Sequence, residues 1–260
     1  MPEQKPNAFA TLVTNDGYVE PAIVLASTLR RLHHSGTAEL VVFVAQGALS
    51  ASSLATLGGF FDQVIPVLPI RTGPRDRYTL DEVLGRSDLH SALTKIRLFD
   101  PAVTGRWKTI VYLDADTVPL QPIAELFGAL GQPSDPHRVH LAAAPDAGWP
   151  DAFNSGVLVL RADADVYNGL VERLERDGSF DGADQGLLNT YFSSFSASGT
   201  ALPLTPPAST STPGLSPLAT PTSEADHLGS QTQSEPKAVR LPFAYNVTAS
   251  ASYTYAPAFG

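Results

Sequence analysis

Thr109-Ile-Val-Tyr-Leu-Asp-Ala-Asp-Thr-Val118 decides how the rest of the chain is read. An apolar run, Ile110 to Leu113, leads straight into two carboxylates, Asp114 and Asp116. β-Branched and aromatic residues without polar alternation predict a strand buried on both faces. In an open parallel sheet, ligands sit in the crevice outside the carboxyl ends of the strands, so both acids fall where chemistry is usually done. Extended backbone alternates its side chains, which predicts Asp114 and Asp116 on one side. Two carboxylates about 4 Å apart, at an effective dielectric of about 20, repel by roughly 4 kcal/mol. Solvation, a shared proton or a cation between them would relieve this. A hard divalent ion with oxygen ligands, Mn²⁺ or Mg²⁺, suits the third case.

The same spacing also arises without function. Asp163-Ala-Asp165 repeats it ahead of a helical pattern, where helix capping accounts for it. What separates the two pairs is the buried strand that delivers Asp114.

Working outward, Phe9–Thr14 reads as a first strand, with Asn15 and Asp16 as turn and N-cap residues. Ala22, Ile23, Leu25, Ala26, Leu29 and Leu32 then recur at helical spacing. Leu40–Val44, Gln63–Val67, Leu141–Ala144 and Gly156–Leu160 read as further strands. Helices are expected over Ser50–Leu57, around Leu93–Phe99, over Val166–Leu174 and over Asp184–Phe192. Alternation of this kind implies an α/β fold with a mostly parallel sheet and helices on both faces. Arg71–Ser91 has little periodicity and reads as a long loop, and 145–151 as a turn-rich connector. From 196 to 238 Ser, Thr and Pro dominate, a composition too poor in apolar residues to form a core. Folded-type sequence resumes at Val239, so the expected organisation is one domain, 8–195 plus 239–260, interrupted by a disordered insertion.

With 260 residues and 43% apolar content, the chain has the size and composition of one substantial soluble domain. Its net charge of −9 argues against nucleic acid or an anionic membrane surface as the main partner. There is no cysteine, which excludes disulfides, thiolate catalysis and Cys-type zinc sites. The N-terminus lacks a signal-peptide core, and no apolar run approaches a membrane span of about 20 residues. A cytoplasmic setting is the expectation.

Four further stretches offer polar groups beside the acid pair. Thr14-Asn15-Asp16 ends the first strand at a helix start, suited to a nucleoside or phosphate, though capping alone explains it. Lys95 in Leu93-Thr-Lys95 could face phosphates; most such lysines are simply solvated. Asn154-Ser155 could bond sugar hydroxyls or form a turn. Asp181-Gly-Ala-Asp-Gln-Gly186 gathers two acids and an amide among glycines, although a helix cap accounts for Asp184.

Taken in order, these stretches resemble the glycogenin family of retaining glycosyltransferases. The likeness rests on Phe9–Tyr18, Leu93–Lys95, Tyr112–Thr117, Ala144–Gly156, Gly178–Thr190, Leu241–Asn246 and Ser252–Phe259. The Trp149-containing stretch and the Asp-Gln-Gly stretch are far more specific than Asp-x-Asp. The resemblance implies a Rossmann-like, glycosyltransferase A-type nucleotide-sugar-binding domain that uses UDP-glucose and Mn²⁺, with Mg²⁺ as the alternative. It implies metal binding by Asp114 and Asp116, and uridine contacts from Leu12, Thr14, Asn15 and Tyr18. Arg86 and Lys95 would face phosphate or sugar. Asp114, Ala115 and Asp116 would line the donor site, and Asn154, Ser155, Asp181, Asp184 and Gln185 would surround the glucose. Asp184, Asp181 and Lys95 would be the catalytic groups, and Tyr253 the acceptor in a self-glucosylation that primes glycogen. A homodimer is implied as well, with glycogen synthase as partner, although the segment that binds it has no counterpart here. The family pattern continues beyond Phe259 to a His-x-x-Gly-x-x-Lys segment carrying a third metal ligand and a second cation. The sequence ends at Gly260, so weak catalysis is expected of the polypeptide as written. Two other readings stay open: a transferase of the same family acting on a separate acceptor, and an inactive nucleotide-sugar-binding protein.

Overall fold

The computed structural model describes residues 5–33, 36, 38–70, 92–132, 138–148, 151–193, 195 and 236–248. Arg86, Trp149, Tyr253, the 71–91 loop and the 196–235 stretch lie outside them.

Strand β1 (Asn7–Val13) is followed by a 3-10 turn, Asp16–Tyr18, capped by Asn15, whose side chain accepts from Gly17 N. Helix α1 (Val19–His33) buries Ala22, Leu25, Ala26 and Leu29, the stripe expected from the sequence. Strand β2 (Glu39–Ala45), helix α2 (Ala51–Gly58, capped by Ser50) and β3 (Gln63–Val67) complete the first half. A 3-10 helix, Leu93–Phe99, and the short α3 (Pro101–Thr104) lead into β4 (Thr109–Leu113), buried at every position. The second half holds a 3-10 turn (Ala124–Gly128), β5 (Val139–Pro145), β6 (Phe153–Leu160), α4 (Ala164–Asp177), α5 (Asp184–Tyr191), β7 (Lys237–Arg240) and a 3-10 turn, Phe243–Tyr245. As expected, Asp163 is a helix cap: it accepts from the N–H groups of Asp165 and Val166 at the start of α4.

The seven strands form one sheet in the order β3-β2-β1-β4-β6-β5-β7. The pairs β1–β2, β2–β3, β1–β4 and β5–β7 are parallel, while β6 runs antiparallel to both β4 and β5. The chain winds outward from β1 to β3, then returns to place β4 on the other side of β1. That reversal opens a crevice at the carboxyl ends of β1 and β4. Because β6 runs backwards, its amino end, Asn154 and Ser155, arrives at the same edge.

The two faces of the sheet carry separate cores. Ala10, Phe43, Ile110, Tyr112 and Leu158 pack against the 93–99 helix, α4 and α5. Phe9, Val42, Val111, Leu113 and Val159 pack against α1, α2 and Leu126. β4 therefore contributes to both, and each of its residues has somewhere to be buried.

Three sequence expectations shift. β6 begins at Phe153, so Asn154 and Ser155 belong to the strand rather than to a turn before it. Asp114 N donates to Gly156 O at 2.8 Å, but Thr117 N donates back to Asp114 O, so the chain turns after Asp114. Strand alternation therefore does not reach Asp116. The sheet also resumes at Lys237, inside the span assigned by composition to the insertion. Phe195 O accepts from Arg240 Nε at 3.3 Å, and the Arg240 guanidinium lies over the Phe195 ring. The two ends of that span therefore meet. Among the described residues no helix is long and apolar enough to cross a membrane.

The β5–β7 edge holds a titratable clasp. Lys237 N donates to His140 Nδ1 at 3.1 Å, which requires that nitrogen to be unprotonated. Burial lowers the imidazole below its ordinary value of 6.5, with Arg138 and Lys237 acting in the same sense against Asp163. A depressed histidine contributes stability in full above the unfolded value and loses it as pH falls through the folded one. The melting temperature should therefore drop between pH 7.5 and 5.5. The drop should be shallower in His140→Asn, whose side-chain oxygen accepts at every pH. Equal slopes for the two proteins would remove His140 from the clasp.

Candidate active site

Lys95 lies at the centre of the site. It is 4% exposed, so the solvated surface lysine expected by default is not what forms. Its ammonium lies 3.1 Å from Asp114 Oδ1 and 2.6 Å from Asp184 Oδ2. It also donates to Ser155 O at 3.1 Å and lies 5.0 Å from the centre of the Tyr112 ring. Burial alone would strip the proton from such a group, but Asp114 and Asp184 more than offset it and hold the ammonium charged. Burial pushes the Asp184 carboxyl upward, and Lys95 opposes that rise.

Asp184 is the first residue of α5, and the helix cap is Ala183, which makes no side-chain cap bond. The capping explanation for Asp184 therefore fails: its carboxylate is 5% exposed and turned to Lys95. Asp181 does the capping instead. Its Oδ1 accepts from Ser179 Oγ (2.7 Å) and Ala183 N (2.9 Å), and its Oδ2 accepts from Gly186 N (2.8 Å). Both oxygens are engaged in holding the turn that leads into Asp184.

These groups line a cavity of about 340 Å³. Of the residues named from sequence, Leu12, Thr14, Tyr18, Lys95, Asp114, Ala115, Asp116, Ser155, Asp181, Asp184 and Gln185 reach it. Asn15 does not: its side chain caps its own turn. Asn154 supports the wall from outside. It donates to Asp146 Oδ2 (3.2 Å), while its Oδ1 accepts from Gly156 N (2.9 Å) and Asn246 Nδ2 (2.7 Å). Gln185 donates to the same Asp146 oxygen and accepts from Ser155 N. A side chain at 156 would come within 3.0 Å of Asn154 Oδ1 and 3.3 Å of Asp114 Oδ2, so glycine permits this approach without displacing either.

Three contributors escape the sequence reading. Tyr112 looks like core and is core, yet its hydroxyl donates to Asp114 Oδ1 at 2.7 Å. Burial and the neighbouring Asp114 keep the phenol protonated as that donor. Asp146 and Asn246 stand inside the quoted motifs without roles; both are polar residues just past the ends of elements in this edge, which is their signal.

Asp114 and Asp116 differ in exposure. Asp114 is half-buried, and its Oδ1 is taken by Tyr112 and Lys95, which leaves Oδ2 outside those two contacts. Asp116 is exposed at the cavity. Among the described residues no three His, Asp or Glu side chains gather as a metal cluster. Two oxygen-only carboxylates do suit a hard cation that completes its shell with water and ligand oxygens. The charge balance points the same way. Among the described residues, Asp114, Asp116, Asp181 and Asp184 share the cavity with one ammonium, a balance that favours a cation there.

Removing the ammonium should be costly. Lys95→Met leaves two buried or half-buried carboxylates without their cation, and breaking such a pair typically costs about 3–5 kcal/mol. Urea denaturation should show a loss of that order, partly recovered when Asp184→Asn is added. A Lys95→Met protein as stable as the parent would contradict the buried pairing.

The model for Glycosyl transferase family 8 matches residues 10–255. Glycogenin of Cryptococcus neoformans var. grubii is 36% identical over 98% of this chain, which spans 24% of that relative. Human glycogenin-1 is 35% identical over 97% of the chain, which spans 56% of it. Among solved structures, an active-site mutant of LgtC aligns with a TM-score of 0.51 and 19% identity, covering 70% of this chain and 69% of that one. LgtC with donor and acceptor sugar analogues aligns with a TM-score of 0.50 and 18% identity, over the same shares of the two chains. At that identity these two speak for the fold alone, a glycosyltransferase α/β architecture. The match across nearly the whole length places this chain in Glycosyl transferase family 8.

Proposed function

We propose that the chain is a glycogenin-like, retaining glucosyltransferase that takes glucose from UDP-glucose and adds it to a tyrosine, Tyr253, to prime glycogen. The observation that carries this is the Lys95 ammonium, held between Asp114 and Asp184 at the crevice of a chain so similar to glycogenins. The nucleoside is assigned to Leu12, Thr14 and Tyr18 at the end of β1, with the diphosphate beyond them near Lys95 and, by resemblance, Arg86. The sugar is assigned to Ser155, Asp184 and Gln185.

Breaking the bond between glucose and diphosphate leaves negative charge on the diphosphate. Lys95, already charged and desolvated, stabilises that charge without reorganising. Asp184 supplies a carboxylate beside the positive charge that builds on the sugar. The phenol of Tyr253, with an ordinary pKa of about 10, arrives neutral. Its oxygen forms the new bond to glucose, and its proton passes to the departing diphosphate. A Mn²⁺ or Mg²⁺ ion on Asp114 and Asp116 would add positive charge against the diphosphate. Homodimerisation, a cytoplasmic setting and glycogen synthase as partner come with the family resemblance and belong to the same proposal.

Intact mass after incubation with UDP-glucose and Mn²⁺ should rise in whole-hexose steps, and Tyr253→Phe should abolish the rise. Asp114→Asn and Asp116→Asn should each abolish Mn²⁺-dependent UDP-glucose binding measured by calorimetry. Hexose found only on an added small acceptor would move the protein to the separate-acceptor reading. Unchanged affinity in both aspartate variants would remove the metal assignment.

The domain boundaries are proposed on the same footing, as one transferase domain with the stretch between Phe195 and β7 inserted into it. The contact between Phe195 and Arg240 supports this, because a short linker could span the gap. Replacing 197–235 by a Gly/Ser linker should leave the melting temperature within a few degrees. Aggregation of that variant would show the stretch to be part of the domain.

A further inference from the structure

The loop between α4 and α5 carries a feature that the donor site leaves unexplained. Phe180 is 77% exposed, whereas Phe60, the other exposed phenylalanine among the described residues, is 37% exposed. Two glycines in left-handed conformations flank it, Gly178 (φ 72°) and Gly182 (φ 69°). Gly182 N donates to Ser179 O, closing a four-residue turn with Phe180 at its first corner. The polar side chains on either side are spent inside the loop: Ser179 Oγ reaches Asp181 Oδ1 and Ala183 O, and Asp181 accepts from Ala183 N and Gly186 N. The turn is thus built to hold its shape, and the aromatic ring it presents faces water. Asp181 and Ala183, one and three residues further on, line the cavity. Phe180 thus belongs to the loop whose next residues line the cavity, on the side where the sugar is assigned.

A phenylalanine side chain has two rotatable bonds and its turn is held by hydrogen bonds, so a ligand covering the ring orders little. A glucose unit offers a complementary surface, because its axial C–H groups form an apolar face while its hydroxyls point outward. With both Asp181 oxygens already engaged, the apolar ring is what this part of the rim has to offer. We propose that Phe180 is an acceptor-specificity residue, stacking on a glucose unit of the growing α-glucan and so holding the chain end at the cavity mouth. This rests on the reading of the cavity as a glucosyl-transfer site, and it adds a binding position outside the donor pocket.

The test separates the two. UDP affinity in the presence of Mn²⁺, measured by calorimetry, reports the donor site. Affinity electrophoresis in gels containing glycogen, with maltotetraose as competitor, reports the glucan position. The parent chain should be retarded in a way that maltotetraose reverses. Phe180→Ala should weaken glucan binding about tenfold, the scale of one aromatic contact. Phe180→Trp should retain it, and all three proteins should bind UDP alike. Because Phe180 is exposed, both variants should melt with the parent. Equal retardation of the parent and Phe180→Ala, or a parent that glycogen does not retard, overturns the inference while leaving the donor reading intact. A parent that binds no UDP overturns the donor reading and the inference with it.

Discussion

A buried ammonium cannot be left alone. Moving an unpaired charge out of water costs far more than a domain's net stability, so Lys95 stays charged only because Asp114 and Asp184 meet it. Lys95 and its partners come from four places in the chain: the 93–99 helix, the end of β4, α5 and β6. Each has its position set by the requirement that the charges meet. The Ser155 carbonyl, at 3.1 Å, adds a neutral acceptor and ties β6 to the same point. The interaction is weak evidence for net stability, since a well-packed apolar replacement can match a buried pair. Its effect is to fix one arrangement of the elements that bear the site.

The sheet depends on a second constraint at the same place. β6 must run antiparallel to β4 for Ser155 and Gly156 to arrive beside Asp114, and the absence of a side chain at Gly156 lets the strands close there. Tyr112 links this edge to the core. Its ring packs on one face of the sheet while its hydroxyl holds Asp114 Oδ1. A residue that is apolar for most of its length and polar at its tip suits a strand that ends at a site.

Much of this is legible in the sequence because buried strands announce themselves. Apolar runs locate β1 to β4 to within two residues at their ends, and they put the acid pair at the crevice. What escapes has physical causes. Leu93, Ile96, Leu98 and Phe99 mark a helix, but what forms is a 3-10 helix with three residues per turn, in which Lys95 shares its row with buried Leu98. Lys95 reads as solvated because most lysines are, and nothing local in the sequence shows the two carboxylates that meet it. Strand alternation stops at Asp114, where the chain turns, yet the turn still brings Asp116 to the same cavity. The starts of β6 and β7 read late because Asn154, Ser155 and Lys237 are polar, and their burial or pairing is decided by partners elsewhere in the fold. Asp184 resembles a cap because acids favour helix starts; only the position of Lys95 shows that its carboxylate is turned inward.

The site's charges divide its labour. Lys95 is the only ammonium or guanidinium among the described residues that line the cavity, and it is already held by two carboxylates. In the proposed reaction it would attract an incoming diphosphate only weakly, and its larger contribution would come when charge develops on the leaving oxygen. Tyr112 and Lys95 both use Asp114 Oδ1, so Oδ2 and the exposed Asp116 are what remain for a cation. Asp114 is thus shared between the buried ammonium and the open side of the cavity. Asp184, deeper and almost fully desolvated, holds Lys95 from the buried side, so the ammonium is anchored where Asp114 is open to the cavity.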